Sequence, residues 1–225
     1  MSGLEYWLET INAAWKRWRM QFTRLTPGPK IKREQLESDD ALIRWQAIRT
    51  LAQHPQIQQL STLLILSGDP DAMVRAEVVN ALASWGADVA LKPVQQALAE
   101  AQSPASAAAL LETLARLPDP ANRDVIQPWL ADEDVHVRAA AFMALAALCD
   151  DDDLPRLEET LKGDDIQVQR AILTALCAPE AGLLAEKAAR STDPILRQRG
   201  AQAAARIQRR REVRDSEQQA GQRRE

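Results

Sequence analysis

The residues best equipped for chemistry here are two histidines, two cysteines and one run of four aspartates. His136 lies in "DEDVHVRAAAFMAL", residues 132–145, between two valines and beside acids and an arginine. A general base or zinc ligand needs partners at set spacing. The only other histidine is His54, far along the chain, so His136 reads as a surface residue at a helix start. Cys149 and Cys177 lack Cys-x-x-Cys spacing and read as small buried residues of a reducing compartment. The run Asp150–Asp153, followed by Pro155, lacks the spaced ligands, central Gly and closing Glu of a calcium loop. Negative charge at a helix N-terminus suits it better. There is no Gly-rich phosphate loop and no Gly-x-Ser-x-Gly elbow. The reading is no catalytic residue, no cofactor and no metal.

The surroundings of His136 recur instead. "SDDALIRWQAIRTL", "DPDAMVRAEVVNAL", "SPASAAALLETL", "DEDVHVRAAAFMAL", "DDIQVQRAILTAL" and "TDPILRQRGAQAA" are six copies of one pattern. The slot held by an arginine in most of them falls at Arg44, Arg75, Ala107, Arg138, Gln169 and Arg197, in steps of 31, 32, 31, 31 and 28. Each copy opens on an Asp- or Ser-bearing turn suited to capping a helix. Apolar residues then follow at helical spacing, as in Val137, Ala141, Ala144, Leu145 and Leu148. Shorter helices are predicted between them at 56–66, 89–100, 121–131, 153–162 and 180–190, with Pro93, Pro128 and Pro155 in their early turns. An aromatic content of 4% and a bias to Ala, Leu, Gln, Glu and Arg agree with an all-α chain.

The acidic turn, the following Val-Arg, the alanine and the closing Ala-Leu resemble HEAT repeats, above all the short HEAT-like repeats first named for phycobilisome lyases. "DAMVRAEVVNAL" and "DVHVRAAAFMAL" carry the resemblance best, and it covers roughly 38–205. It implies a right-handed α-solenoid of about six HEAT-like helix pairs, because one helix pair cannot bury its own apolar face and a stack can. Tetratricopeptide and ankyrin patterns are absent. Iron hydroxylases built on HEAT-like repeats use His-Glu pairs, and no His-Glu dipeptide exists here.

The repeated acids and arginines are expected to form a structural ladder, with Asp71, Asp134, Asp165 and Asp193 near Arg44, Arg75, Arg138 and Arg197, broken at Ala107 and Gln169. In HEAT-like stacks the second helix of each pair lines a concave surface. That places Trp45, Arg49, Asn80, Glu112, Met143, Arg170, Thr174 and Gln198 on a face for another protein or peptide, with Trp45 and Arg49 as the anchor pair.

Three segments are expected: a Trp-rich amphipathic helix and turn over 1–29, the solenoid over 30–207, and a polar, disordered basic tail over 208–225. The first carries Trp7, Ile11, Trp15, Trp18 and Phe22 in one apolar stripe, as a cap on the repeats or an interaction helix. Its basic residues follow Glu5 and Glu9, the reverse of a signal peptide.

Net charge is −4, spread as +5 over 1–33, −12 over 34–205 and +3 over 206–225. An acidic body disfavours nucleic acid and with it the DNA-glycosylase reading of a HEAT-like fold. The expected function is a cytoplasmic, non-catalytic protein-binding scaffold or adaptor. The family resemblance implies one alternative, a phycobilin lyase-like subunit that binds a tetrapyrrole and a protein acceptor. A membrane-surface adaptor acting through the N-terminal helix is a third reading.

Overall fold

The computed structural model describes the backbone of residues 29–222 and the side chains of residues 29–216. Among the described residues every regular element is helical. In chain order these are α1 (Arg33–Leu36), α2 (Ala41–Gln53), α3 (Leu60–Leu66), α4 (Ala72–Trp85), α5 (Ala87–Ala99), α6 (Pro104–Arg116), α7 (Asn122–Ile126), α8 (Val135–Leu148), α9 (Leu154–Lys162), α10 (Ile166–Ala175), α11 (Gly182–Ala189) and α12 (Pro194–Gln222). Short 3-10 turns lead into α3 (Ile57–Gln59), extend α7 (Gln127–Ala131) and lead into α11 (Pro179–Ala181). The architecture is that of an α-solenoid. Its contacts gather into two compact units, Met1–Leu117 and Pro118–Glu225.

The six repeat copies are the helices α2, α4, α6, α8, α10 and α12. Each starts where an acceptor side chain can satisfy the free N–H groups of a first turn. Asp40 accepts from Leu42, Asp71 from Met73 and Val74, Ser103 from Ser106, Asp134 from His136 and Val137, Asp165 from Val168, and Asp193 from Ile195 and Leu196. In the first unit α2 packs on α4 and α4 on α6, with α3 against α4 and α5 against α6. In the second, α8 packs on α10, α10 on α12, and α11 on α12.

The buried faces are the apolar positions of the repeat: Ile48, Leu51, Val74, Val78, Leu82, Leu110, Leu111 and Leu114 in one unit, and Val137, Ala141, Leu145, Val168, Ile172 and Leu173 in the other. Alanines Ala81, Ala109, Ala141 and Ala144 are buried among them, and small residues let helices approach closely. Trp85 is fully buried, and its indole N–H donates to the Leu51 carbonyl at the end of α2, 2.8 Å away. Its bulk fills the core and its polar atom closes a helix end.

Two glycines are required by geometry. Gly86 alone separates α4 from α5 and holds φ +82°, ψ 165°, a region that L side chains resist. Gly200 lies where α12 crosses α11: a Cβ there would stand 2.5 Å from the carbonyl carbon of Ala188.

Two expectations are corrected. Pro93 lies not in a first turn but buried inside α5, which begins at Ala87, so the helix loses one internal N–H there. And the chain does not turn disordered at 208: α12 continues to Gln222. Basic side chains tie the extension down. Arg206 Nη2 donates to the Leu173 carbonyl (2.7 Å) at the end of α10, and Arg211 Nε to the Pro179 carbonyl (3.0 Å). A cation is favoured at the C-terminal turn of α10, where Arg206 binds. No helix among the described residues is long and apolar enough to cross a membrane.

Candidate binding faces

The repeated arginine builds its own helix start. Arg44 Nη1 donates to the carbonyls of Ser38 (2.7 Å) and Asp39 (3.1 Å), six and five residues back. Arg75 does the same to Asp69 and Pro70, Arg138 to Asp132 and Glu133, and Arg197 to Ser191 and Thr192. The residue six back also accepts from the N-cap N–H through its side chain: Ser38 from Asp40, Asp69 from Asp71, Asp132 from Asp134, and Ser191 from Asp193. The local rule is therefore Ser or Asp, any residue, Asp, three residues, Arg.

The ladder differs from its sequence form. Asp71, Asp134 and Asp193 cap helices and make no ion pair among the described residues. Arg44 pairs instead with buried Asp69, Nε to Oδ2 at 2.7 Å and Nη2 to Oδ1 at 2.8 Å. This bidentate bond to Asp69, first among the causes, raises the guanidinium pKa above its ordinary value. Asp165 alone both caps and pairs: it takes Arg138 Nη2 at 2.8 Å. Burial pushes its carboxyl up, but the bonds from Arg138 and the Val168 N–H outweigh that and hold it below the usual carboxylate range. At the fifth copy Gln169 does not simply break the ladder. It is buried, and its Nε2 donates to the carbonyls of Leu161 (3.0 Å) and Gly163 (2.5 Å), replacing the arginine's hold on the turn.

The residues expected to form a binding face in the first unit are Trp45 and Arg49 on α2, Asn80 on α4 and Glu112 on α6. The Arg49 guanidinium lies over the Trp45 ring, 5.0 Å from its centroid; Trp45 is half-buried and Arg49 exposed. Asn80 Oδ1 accepts from Arg116 Nη1 and its amide donates to Glu77 Oε2 at 3.4 Å, so α4 and α6 share one polar cluster. Glu112 is half-buried in that cluster. Burial raises its pKa, and the charges of Arg116 and Arg75 offset the rise only in part. Arg75 was expected only in the ladder and Arg116 was not singled out from sequence, although Arg116 lies four residues after Glu112, within reach on one helix face.

The sign of the Glu112 shift has a consequence. The folded chain holds this proton more tightly than the unfolded one, so the ionised carboxylate subtracts stability at neutral pH. The penalty fades as pH falls through the folded pKa and is gone below the ordinary glutamate value. Glu112→Gln is expected to raise the melting temperature at pH 7 and to leave it unchanged near pH ~3. Equal melting curves at both pH values would show that the carboxylate is not desolvated.

In the second unit Met143 is half-buried, while Arg170, Thr174 and Gln198 are exposed. Thr174 Oγ1 donates to the Arg170 carbonyl at 2.7 Å within the same helix, and among the described residues no other side-chain hydrogen bond joins these four. Trp7, Ile11, Trp15, Trp18 and Phe22 lie outside the described residues.

His136 is exposed on the first turn of α8; its backbone N–H donates to Asp134, and its imidazole makes no hydrogen bond or ion pair among the described residues. The aspartate run serves an arginine rather than a helix cap. Arg123 Nη1 binds both oxygens of Asp153 (2.6 and 2.7 Å) and Nη2 binds Asp150 (2.8 Å), while the Asp153 side chain makes no cap bond to α9. Cys149 is buried, and its thiol pKa is pushed up to about 12, by burial first and then by Asp153 and Asp150. It is a protonated, unreactive thiol. Among the described residues no group of His, Cys, Asp and Glu stands where it could hold a metal ion.

A family model described as HEAT repeats matches residues 32–108 and 91–177. No curated protein matches the chain. A crystal structure of an engineered protein is similar at 19% identity and a TM-score of 0.40, over 78% of this chain and 94% of that one.

Proposed function

The chain belongs to the HEAT repeat family, and on that premise we propose that it is a non-catalytic scaffold or adaptor that binds another protein through the second-helix face of its first unit. The observation that carries this reading is the Trp45–Arg49 stack. A tryptophan half out of the core and an exposed arginine held over its ring form a rigid amphipathic anchor, and Trp and Arg are the side chains most enriched at interface hot spots. Asn80, Glu112 and Arg116 extend the face with polar groups already oriented by one another. No arrangement among the described residues favours the tetrapyrrole, membrane or DNA-glycosylase readings over this one.

The test is native co-purification of the tagged full chain beside its Trp45→Ala and Arg49→Glu variants. A protein partner retained in stoichiometric amount by the unaltered chain is expected to bind each variant at least about tenfold more weakly, the effect of losing a hot spot worth about 2 kcal/mol. Circular dichroism and melting curves should be unchanged. A variant that unfolds would make Trp45 a core residue, and full retention by both variants would remove this face as the binding site.

A further inference from the structure

The first unit has a second surface, on the side of α3 and α5, that its own described residues leave uncovered. Ile65, in the last turn of α3, is 74% exposed. It borders two clefts at once. One, of about 600 Å³, is lined by Leu64, Ile65, Pro93 and Ala97 of α3 and α5 together with Glu100. The other, of about 410 Å³, is lined by Leu36, Ile65, Leu66 and Pro70 together with Asp39. Both hollows also carry polar side chains, such as Gln96 and Ser106 in the first and Arg33 and Thr62 in the second, and an isoleucine ridge between two such mixed hollows is a seat for the side chains of an amphipathic helix, which drop in on either side of the ridge.

We propose that residues 4–25 of this same chain occupy that seat, lying as a helix across Ile65 with their tryptophans in the two clefts. Three observations select this occupant. The described chain starts beside it: Gln56 Nε2 donates to the Pro29 carbonyl (3.0 Å), Ile31 N–H to Gln56 Oε1 (3.2 Å) and Gln59 Nε2 to the Ile31 carbonyl (3.3 Å). Gln56 and Gln59 bound the turn that opens α3, so Pro29 stands near the first turn of the helix whose last turn carries Ile65. At 1.5 Å per residue those turns are about 9 Å apart, and a helix over 4–25 would be about 33 Å long, so reach is ample. Second, the segment has the required face: Leu4, Trp7, Leu8, Ile11, Trp15, Trp18, Phe22 and Leu25 form one stripe at helical spacing. Third, charge is complementary. Lys16, Arg17, Arg19 and Arg24 accompany the stripe; the clefts hold Asp39 and Glu100, and the two arginines of the second cleft are already paired, Arg33 with Glu37 and Arg44 with Asp69. This surface is separate from the second-helix face proposed for the partner.

The test uses the full chain with Cys149→Ala and Cys177→Ala, a bimane dye on Ile65→Cys, and the same protein carrying Trp7→Phe, Trp15→Phe and Trp18→Phe. Tryptophan quenches bimane only near contact. Emission is expected to rise severalfold when the three tryptophans become phenylalanine, and to stay unchanged for a dye on Leu183→Cys, an exposed site in the other unit. Ile65 is exposed and phenylalanine keeps the stripe apolar, so both proteins should fold, as circular dichroism would verify. Equal emission from the two Ile65 dyes overturns the proposal. So does quenching that disappears on hundredfold dilution or accompanies a dimer in light scattering, because the occupant is then a second copy's segment. Quenching relieved by vesicles of phosphatidylserine and phosphatidylcholine, with the chain bound to them, overturns it as well and makes the segment a membrane anchor.

Discussion

Arg44→Ala is expected to destabilise the first unit by about 3–5 kcal/mol, while Arg44→Met combined with Asp69→Leu recovers most of that loss. The side chains of Arg44 and Asp69 are only 10% and 3% exposed, and they meet through two short bonds. Removing the guanidinium leaves a buried carboxylate whose one remaining hydrogen-bond donor among the described residues is the Asp71 backbone N–H. It also releases the carbonyls of Ser38 and Asp39, which hold the turn before α2. The pair itself stabilises little against an apolar pair of similar volume, because each ion was stripped of water to form it. The large effect of the single variant is the cost of an orphaned charge. The second unit supplies the control. Arg138 likewise reaches the turn before the next repeat helix, but there it pairs with the capping residue Asp165, the counterpart of Asp71 rather than of Asp69, and the two side chains are 29% and 32% exposed. Asp165→Asn there should cost no more than about 1 kcal/mol. Denaturation followed by circular dichroism and tryptophan emission measures all four proteins. Equal small losses in the two units would mean that burial of Asp69 is not what sets the energy.

These two pairs also show what a reader of the sequence can and cannot reach. The period, the capping acid and the arginine slot were legible because each depends on neighbours within one turn of the chain. "DPDAMVR" presents two acids two residues apart, however, and spacing does not say which one caps and which one pairs. The division of labour between Asp69 and Asp71 follows from how the next helix packs, 25 residues after Arg44. The same holds for Arg123, whose partners Asp150 and Asp153 lie 27 and 30 residues away; from the local window alone the acidic run could be read only as a helix start. Gln169 reads as a missing arginine because the sequence does not show that an amide can reach two turn carbonyls once it is buried. Gly200 carried no signal at all, since its necessity lies in the backbone of α11. The proposed binding face is intermediate. Register placed Arg49, Asn80 and Glu112 at equivalent positions, with Trp45 one turn before Arg49, and the stack and the polar cluster that join some of them are tertiary facts.

Val137→Asp and His136→Asp, one residue apart, separate helix propensity from burial. Both positions lie in the first turn of α8, where Asp134 accepts from both backbone N–H groups. A carboxylate there interacts favourably with the helix dipole, by about 0.3–1 kcal/mol at an exposed site. His136 is exposed, so His136→Asp should leave the second unit as stable as before or slightly more so. Val137 is 1% exposed and belongs to the face that α8 packs against α10 and the turn Gln127–Ala131. Burying an unpaired carboxylate there costs several kcal/mol, and the lost valine adds about 1–2 kcal/mol of apolar burial. The dipole term is too small to offset either. Against a usual domain stability of about 5–15 kcal/mol, Val137→Asp should largely unfold the second unit, with loss of helical circular dichroism and of the cooperative melt. If Val137→Asp melted like the unaltered chain, Val137 would not face a packed core, and the repeat register that places it there would be wrong. If His136→Ala or His136→Asp abolished an activity, this histidine would be more than one exposed position in a repeated helix start.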